Sequence, residues 1–224
     1  MYKDSSVTVI IPCLDEEQGI ARVLERMPQF VDQIIVVDNG STDRTADVAR
    51  GFGAEVIREG VRGYGRAYKR GFQHATGDVI VTLDGDHSYP VDGISYLLEA
   101  FNHLQADFLS ASRFPVQDRA AMSWKHRFGN LALSLTLSVL FLSWVRDSQS
   151  GMWVFARRIL PLMKLESDGM AFSEEIKIEA LRHPQIRFRE IIINYSSRLG
   201  EVKLQPWRDG VRNMAFLFKK RFAR

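Results

Sequence analysis

The sequence predicts an α/β fold in which a mostly parallel central sheet is flanked by helices. Two observations predict it. Continuous apolar, β-branched runs alternate with segments whose apolar residues recur at helical spacing, the pattern of buried strands joined by crossover helices. Polar clusters rich in acidic residues follow the strand runs, and open sheets of this kind bind ligands beyond the carboxyl ends of their strands. The 224 residues are 46% hydrophobic and 25% charged, which suits a folded domain and excludes disorder, collagen-like repetition and a disulfide scaffold. Cys13 is the sole cysteine, so no internal bridge can form, as fits a reducing cytoplasm.

The elements follow in order. Residues 7–11 are a continuous β-branched run and read as the first strand. Ile20, Val23, Leu24 and Met27 then share one helix face. Residues 34–37 read as a second strand, with Ser41 or Thr42 placed to cap the next helix. Residues 54–57 read as a third. The stretch from Gly60 to Gly65 is too glycine-rich for regular structure, and a helix over about residues 66–75 leads to a fourth strand at 79–83. Acidic loops follow three of these strands: Asp15-Glu16, Asp38-Asn39-Gly40-Ser41 and Asp84-Gly85-Asp86. Together they mark one sheet edge as the site.

The second half is less regular. Residues 107–110 read as a strand ending in Ser112-Arg113, 152–156 as another, 172–181 as a helix and 186–194 as extended. Residues 128–145 carry no charge and are ambiguous: Leu131, Leu133, Leu135 and Leu137 alternate as in a strand, yet leucine favours helix. At eighteen residues, with five hydroxyl or amide side chains, the segment reads as lying in a membrane interface, packing as core or forming a dimer contact rather than spanning a bilayer. The start does not read as a secretory signal. From Glu201 onward seven Lys and Arg residues face only Glu201 and Asp209. There Trp207, Val211, Met214, Ala215, Phe218 and Phe222 form one arc of an amphipathic helix suited to an anionic membrane surface. The division expected is 1–205 as the catalytic unit and 206–224 as a basic surface helix.

Asp84-Gly85-Asp86 at a strand end offers two hard-oxygen ligands to Mg²⁺ or Mn²⁺. No phosphate-binding NTPase loop, dinucleotide fingerprint or zinc spacing is present, and no base-reading motif accompanies the basic tail, so nucleic acid is not an expected partner. His74, His87, His103, His126 and His183 are scattered.

Six stretches, in order, resemble a known family. Val7-Thr8-Val9-Ile10-Ile11-Pro12-Cys13-Leu14-Asp15-Glu16-Glu17, Val36-Val37-Asp38-Asn39-Gly40-Ser41-Thr42-Asp43-Arg44-Thr45 and Thr82-Leu83-Asp84-Gly85-Asp86 are similar to the motifs of family 2 glycosyltransferases of the GT-A fold. Ser112-Arg113-Phe114, Asp147-Ser148-Gln149-Ser150-Gly151 and the stretch from Tyr195 to Leu204 resemble the dolichyl- or polyprenyl-phosphate sugar transferases. The resemblance implies that Pro12, Leu14 and Glu16 hold the donor nucleotide, with Val37, Asp38, Asn39 and Asp84. Asp38 and Asn39 match the base-reading pair, whose second position is often Asp. It implies a metal on Asp84 and Asp86, with Ser88 standing where the mannosyl branch has a glutamine ligand. It further implies Arg113 near the reacting phosphates, Gln149 at the sugar pocket, Glu175 as the acidic residue beneath it, and Arg198 with Lys203 closing over phosphate. Asp86, Arg113, Gln149 and Glu175 are thus the expected catalytic set. The implied reaction moves a hexose from a UDP- or GDP-linked donor to a polyprenyl phosphate at the cytoplasmic face of the membrane, by a peripheral enzyme. A glycan or small hydroxyl acceptor, with Glu175 as base, is one alternative, and a nucleotide-sugar-binding protein without turnover is another.

Overall fold

A computed structural model of the chain describes residues 1–116, 118, 121–200 and 206–222. Its strands are β1 (Val7–Cys13), β2 (Gln33–Asp38), β3 (Glu55–Arg58), β4 (Val79–Thr82), β5 (Phe108–Ser112), β6 (Trp153–Ala156) and β7 (Phe188–Ile192). Its α-helices are α1 (Glu17–Glu25), α2 (Thr45–Gly51), α3 (Tyr64–His74), α4 (Ile94–His103), α5 (Trp124–Phe141), α6 (Phe172–Arg182) and α7 (Pro206–Phe222). The strands form one sheet in the order β3-β2-β1-β4-β6-β5-β7. β6 runs antiparallel to both its neighbours, and every other pairing is parallel. Register places Cys13 opposite Asp38, so the loops after β1 and β2 leave the sheet side by side.

The β-branched runs of β1, β2 and β4 are buried because helices cover the sheet. α3 packs on β1 and β2, and α4 on β5 and β6. Tyr68 and Phe72 of α3, Trp153 and Phe155 of β6 and Phe172 of α6 form one aromatic cluster at centroid distances of 4.5–7 Å, the favourable range for such pairs.

Three local expectations are corrected. Ser41 and Thr42 do not cap α2, because both are occupied by the first loop: Asp15 N–H donates to Ser41 Oγ, and Thr42 N–H and Oγ1 donate to Asp15 Oδ1. Asp43 serves the start of α2 instead, accepting from Thr45 N–H. Gly65 lies inside α3 and not in an irregular stretch. A Cβ there would meet Ser167 O at 2.3 Å and Phe172 Cβ at 2.7 Å, so glycine is what lets this turn of helix seat on α6. Residues 128–141 are helical, and the alternation of leucines reflects two faces of one helix: Leu133 and Leu137 are buried, while Leu131 and Leu135 are exposed.

A second apolar cluster joins Leu133 and Leu137 of α5, Val145, Ile178 of α6 and Leu217 of α7. Of the apolar arc on α7, Met214 packs partly buried against this cluster. Val211, Phe218 and Phe222 are exposed, whereas Asn213 and Leu217 turn inward. Burying Leu217 contributes roughly 1.5–3 kcal/mol, so α7 belongs to the packed structure and keeps an apolar row outside it. The side chain of Trp207 lies outside what is described. Among the described residues, no helix is long and apolar enough to cross a membrane.

Candidate active site

The site is built where the loops after β1, β2 and β4 converge. Gly85 must be glycine for this. A Cβ there would meet Cys13 Sγ at 2.5 Å, and from the other side a Cβ on Gly19 of α1 would meet Gly85 O at 2.4 Å. The Asp84-Gly85-Asp86 turn is therefore clamped between β1 and α1. Cys13 fills space in that clamp; burial, then the charge of Glu16, pushes its thiol well above its ordinary range, so it is inert.

Asp84 accepts from Tyr64 Oη at 3.1 Å. Burial, then the neighbouring charge of Asp86, pushes its carboxyl up to about 7. His87 adopts a left-handed backbone (φ 62°), and Ser88 N–H and Oγ both donate to Asp86 Oδ1, at 3.0 and 2.6 Å. The segment after β7 then crosses the turn. Ser196 N–H donates to Ser88 O at 3.0 Å and Leu199 N–H to Asp86 O at 2.9 Å. This strap places Arg198 Nη2 2.7 Å from Glu16 Oε1 and Nη1 3.5 Å from Asp86 Oδ2.

The opposite wall is the turn at residues 147–151. Asp147, fully buried, accepts from Arg113 at Nε (2.7 Å), Nη2 (2.9 Å) and the backbone N–H (3.0 Å). Burial alone would raise the Asp147 carboxyl, but the Arg113 charge and these bonds outweigh it and hold the group below its usual range. The Arg113 guanidinium also lies 5.3 Å from the Tyr195 ring centroid. Beneath the turn, Lys177 Nζ donates to Asp147 O at 2.6 Å and Ser150 O at 3.0 Å. Burial lowers Lys177 to about 8, with Asp147 opposing. Gly151 closes the wall: a Cβ there would meet Tyr64 Oη at 2.2 Å and Asp84 Oδ1 at 3.2 Å, so the backbone must come this close to the carboxylate.

Two oxygen-only carboxylates side by side, with Tyr64 on one and Arg198 on the other, suit a hard divalent cation whose remaining ligands are substrate phosphates and water. Among the described residues, no group of three or more Asp, Glu, His or Cys could hold a metal alone. The donor set therefore fits a metal brought together with a phosphate-bearing substrate.

Residues 8–161 match the family described as glycosyl transferase family 2. The chain belongs to glycosyltransferase family 2. It is 32% identical over 219 residues to the low-salt glycan biosynthesis hexosyltransferase Agl6 of Haloferax volcanii, covering 95% of this chain and 53% of that protein. It is 31% identical over 216 residues to a dolichyl-phosphate hexose transferase of the same organism, covering 93% and 91%. An undecaprenyl-phosphate 4-deoxy-4-formamido-L-arabinose transferase of Pseudomonas fluorescens is 27% identical over 92% of this chain and 62% of its own length. The chain thus spans about half the length of the first relative and nine-tenths of the second. Among solved structures, glucosyl-3-phosphoglycerate synthase from Mycobacterium tuberculosis, in complex with Mn²⁺, UDP and phosphoglyceric acid, superposes with a TM-score of 0.76 at 20% identity, over 97% of this chain and 78% of that one. The fold of this family 2 glycosyltransferase is GT-A.

The structure brings Glu16, Asp84, Asp86, Ser88 and Arg198 together on one side, and Arg113 with Gln149 on the other. Pro12 is the penultimate residue of β1 at the same edge, with Leu14 in the loop that follows. Four expectations are redrawn. Val37 is fully buried in the sheet between β1 and β3, backbone included, so it serves the core and not a ligand contact. Asn39 is occupied by the chain itself: Nδ2 donates to Glu59 O and Val61 O, and Oδ1 accepts from Gly63 N–H at 2.7 Å, which braces the loop entering α3. Asp38 beside it accepts from Ser41 N–H through Oδ1. Ser88 orients Asp86 and acts as its donor. Glu175 does not face the pocket. It accepts from Glu166 N–H (3.0 Å), Ser167 N–H (2.7 Å) and Lys220 Nζ (3.0 Å), tying α6 to its preceding loop and to α7. The acid beneath the pocket turn is its neighbour Glu174, whose Oε1 accepts from Gln149 Nε2 at 2.6 Å. Burial pushes Glu174 well above the usual carboxylate range. Lys203 lies outside the described residues. Sequence reasoning missed Tyr64, Asp147, Glu174 and Lys177. The Glu-Glu pair at 174–175 was the available signal, and helical phase alone does not say which member faces the site.

Proposed function

We propose that this glycosyltransferase moves a hexose from a UDP- or GDP-linked donor to a polyprenyl phosphate, dolichyl or undecaprenyl, at the cytoplasmic face of the membrane, with Mg²⁺ or Mn²⁺ as cofactor. One juxtaposition carries the reading. The acidic and basic site just described shares its wall with two helices that expose a long apolar ridge. Trp124, Phe128, Leu131, Leu135, Val139 and Leu142 recur along one face of α5 and its C-cap, and Leu142 is 88% exposed. Val211, Phe218 and Phe222 of α7 are exposed as well. A patch of this length on one small chain marks an interaction surface. Exposed Lys125, Arg146, Arg208, Arg212, Lys219 and Arg221 accompany it, the composition of a surface that settles into anionic lipid. Both helices are bonded to the pocket turn: Ser148 N–H donates to Ser134 Oγ of α5 at 2.9 Å, and Asn213 Nδ2 of α7 donates to Gln149 Oε1 at 2.9 Å. A lipid-borne acceptor would thus be delivered beside the donor. In this reading 1–205 is the catalytic unit and 206–224 its lipid-facing helix, and the relatives named for dolichyl and undecaprenyl phosphates support it.

The chemistry follows from the residues. Asp84 and Asp86 would hold the cation, which when bound supplies positive charge to the departing diphosphate. Arg198 lies across the same carboxylates and can move onto phosphate. Arg113, stiffened on two nitrogens by Asp147, presents a fixed cation that costs no reorganisation. An acceptor phosphate oxygen attacks the anomeric carbon, its bond to the nucleoside diphosphate breaks, and configuration inverts. A phosphate monoester is already anionic at neutral pH and needs no base. A hydroxyl acceptor would need one. Glu175 is turned away from the pocket, tied to Glu166, Ser167 and Lys220, which favours the phosphate acceptor.

The test is transfer of labelled sugar from a panel of UDP- and GDP-sugars, with Mg²⁺ or Mn²⁺, with and without a short polyprenyl phosphate in detergent. Label entering the organic phase only with the lipid phosphate is the expected result. Donor turnover to water or to a soluble hydroxyl acceptor alone would overturn the proposal.

A further inference from the structure

One side chain of α7 reaches the pocket. Asn213 is 4% exposed and sits on the inward face with Leu217, one helical turn away. A polar side chain in a helix–helix contact costs free energy unless it is bonded, and leucine there would simply extend the apolar cluster. Asn213 instead donates to Gln149 Oε1, while Gln149 Nε2 donates to Glu174 Oε1 at 2.6 Å and to Ser148 Oγ at 3.2 Å. Both ends of the Gln149 amide are held, the carbonyl by α7 and the amino group by α6. Its orientation is fixed in both rotation and polarity. Gln149 lies two residues from Gly151, which touches Asp84 and Tyr64, and two from Asp147, which holds Arg113. The same helix presents Val211, Phe218 and Phe222 on its outer side.

We infer that Asn213 is a positioning residue: it sets the Gln149 amide for the donor sugar, and so makes the seating of α7 on the protein a condition of productive sugar binding. The inference deepens the proposed function and rests on it for the identity of the donor. A helix that faces lipid on one side and fixes a pocket amide on the other makes transfer responsive to docking, because loosening α7 frees Gln149 to rotate. The nucleoside diphosphate end of the donor, bound at the β1, β2 and β4 loops, is untouched.

The test compares the full chain with Asn213→Leu, Gln149→Leu and the double variant in Mn²⁺. Melting temperature, affinity for the nucleoside diphosphate, affinity for the intact nucleotide sugar and kcat are each measured. Asn213→Leu is expected to melt within a few degrees of wild type and to bind nucleoside diphosphate within about twofold. It is expected to lose the added affinity for the sugar-bearing donor and to lower kcat at least tenfold. The double variant is expected to be no worse than Gln149→Leu alone, since residues acting through one another are non-additive. Wild-type discrimination and kcat in Asn213→Leu, or fully additive losses in the double variant, would overturn the inference. Asn213→Asp, which keeps the size but offers acceptors only, is read in the same way should the leucine variant not fold. If wild type transfers nothing to polyprenyl phosphate, the acceptor reading fails by itself. The sugar-dependent affinity of Asn213→Leu still decides this inference.

Discussion

Replacing Arg198 by glutamine removes the cation that lies between Glu16 and Asp86. The Arg198 side chain is 21% exposed and its two partners about 10%, so the pair is mostly but not wholly out of water. Breaking a fully buried pair costs about 3–5 kcal/mol; with solvent reaching Arg198, about 2 kcal/mol is expected here. For a chain of this size that lowers the melting temperature by roughly 4–8 °C in metal-free buffer. The same change should strengthen metal binding. A unit charge a few ångströms from a divalent ion opposes it by several kcal/mol at an effective dielectric of about 20, before screening. Mn²⁺ affinity, measured calorimetrically in the presence of nucleoside diphosphate, is therefore expected to rise or hold, and Mn²⁺ should recover more of the melting temperature in Arg198→Gln than in wild type. Transfer should nevertheless fall by about 10²-fold, the usual loss when a cation facing developing charge is removed. A variant that melts as wild type does, or that binds Mn²⁺ much more weakly, would refute the placement of Arg198 on the metal carboxylates.

Asp86→Ala should abolish metal-dependent transfer and leave the far-ultraviolet circular dichroism unchanged; persistent turnover would remove Asp86 from the site. Gly19→Ala drives a methyl into Gly85 O and Asp86 Cα, at 2.4 and 2.8 Å, and should cost activity through displaced carboxylates, which a metal titration would detect as weaker binding. Phe128→Ser with Phe218→Ser should reduce partition onto anionic vesicles by up to about 10³-fold, since each exposed aromatic loses roughly 2 kcal/mol of burial; equal partition would return the ridge to another role. Lys177 has its proton held at about 8 against an ordinary 10.5, so between those values the unfolded chain binds more protons than the folded one, and this group's contribution to stability rises with pH. Urea unfolding should show wild type gaining on Lys177→Met from pH 7.5 to 9.5, and a constant difference would contradict the burial argument.

Much of the fold was legible because β-branched runs and helical spacing are local signals. The acidic loops at one sheet edge were legible too, since parallel strands send their carboxyl ends to one side. What the sequence hid was burial of charge. Sequence alone sets Glu175 at the pocket and gives Glu174 and Lys177 no role, yet α6 is largely buried and each of these charges is answered by a group remote in sequence. The apolar arc of α7 reads as a surface face, and Val211, Phe218 and Phe222 are exposed, while Asn213, Leu217 and Lys220 carry the inward face. Hydrophobic periodicity finds the face that avoids water. It does not say whether protein or lipid covers that face. Asn39 shows the reverse error, where a residue type suited to reading a base is occupied in bracing the loop before α3.

The most direct measurement offers labelled nucleotide sugar and Mn²⁺ to the full chain with two lipids that differ in one group, a polyprenyl phosphate and the corresponding polyprenol. The account predicts label in the phosphate lipid alone, because a phosphate monoester is already anionic and Glu175, the base expected for an alcohol, is turned away from the pocket. Label in the polyprenol, or in neither lipid while a soluble acceptor is glycosylated, would contradict it.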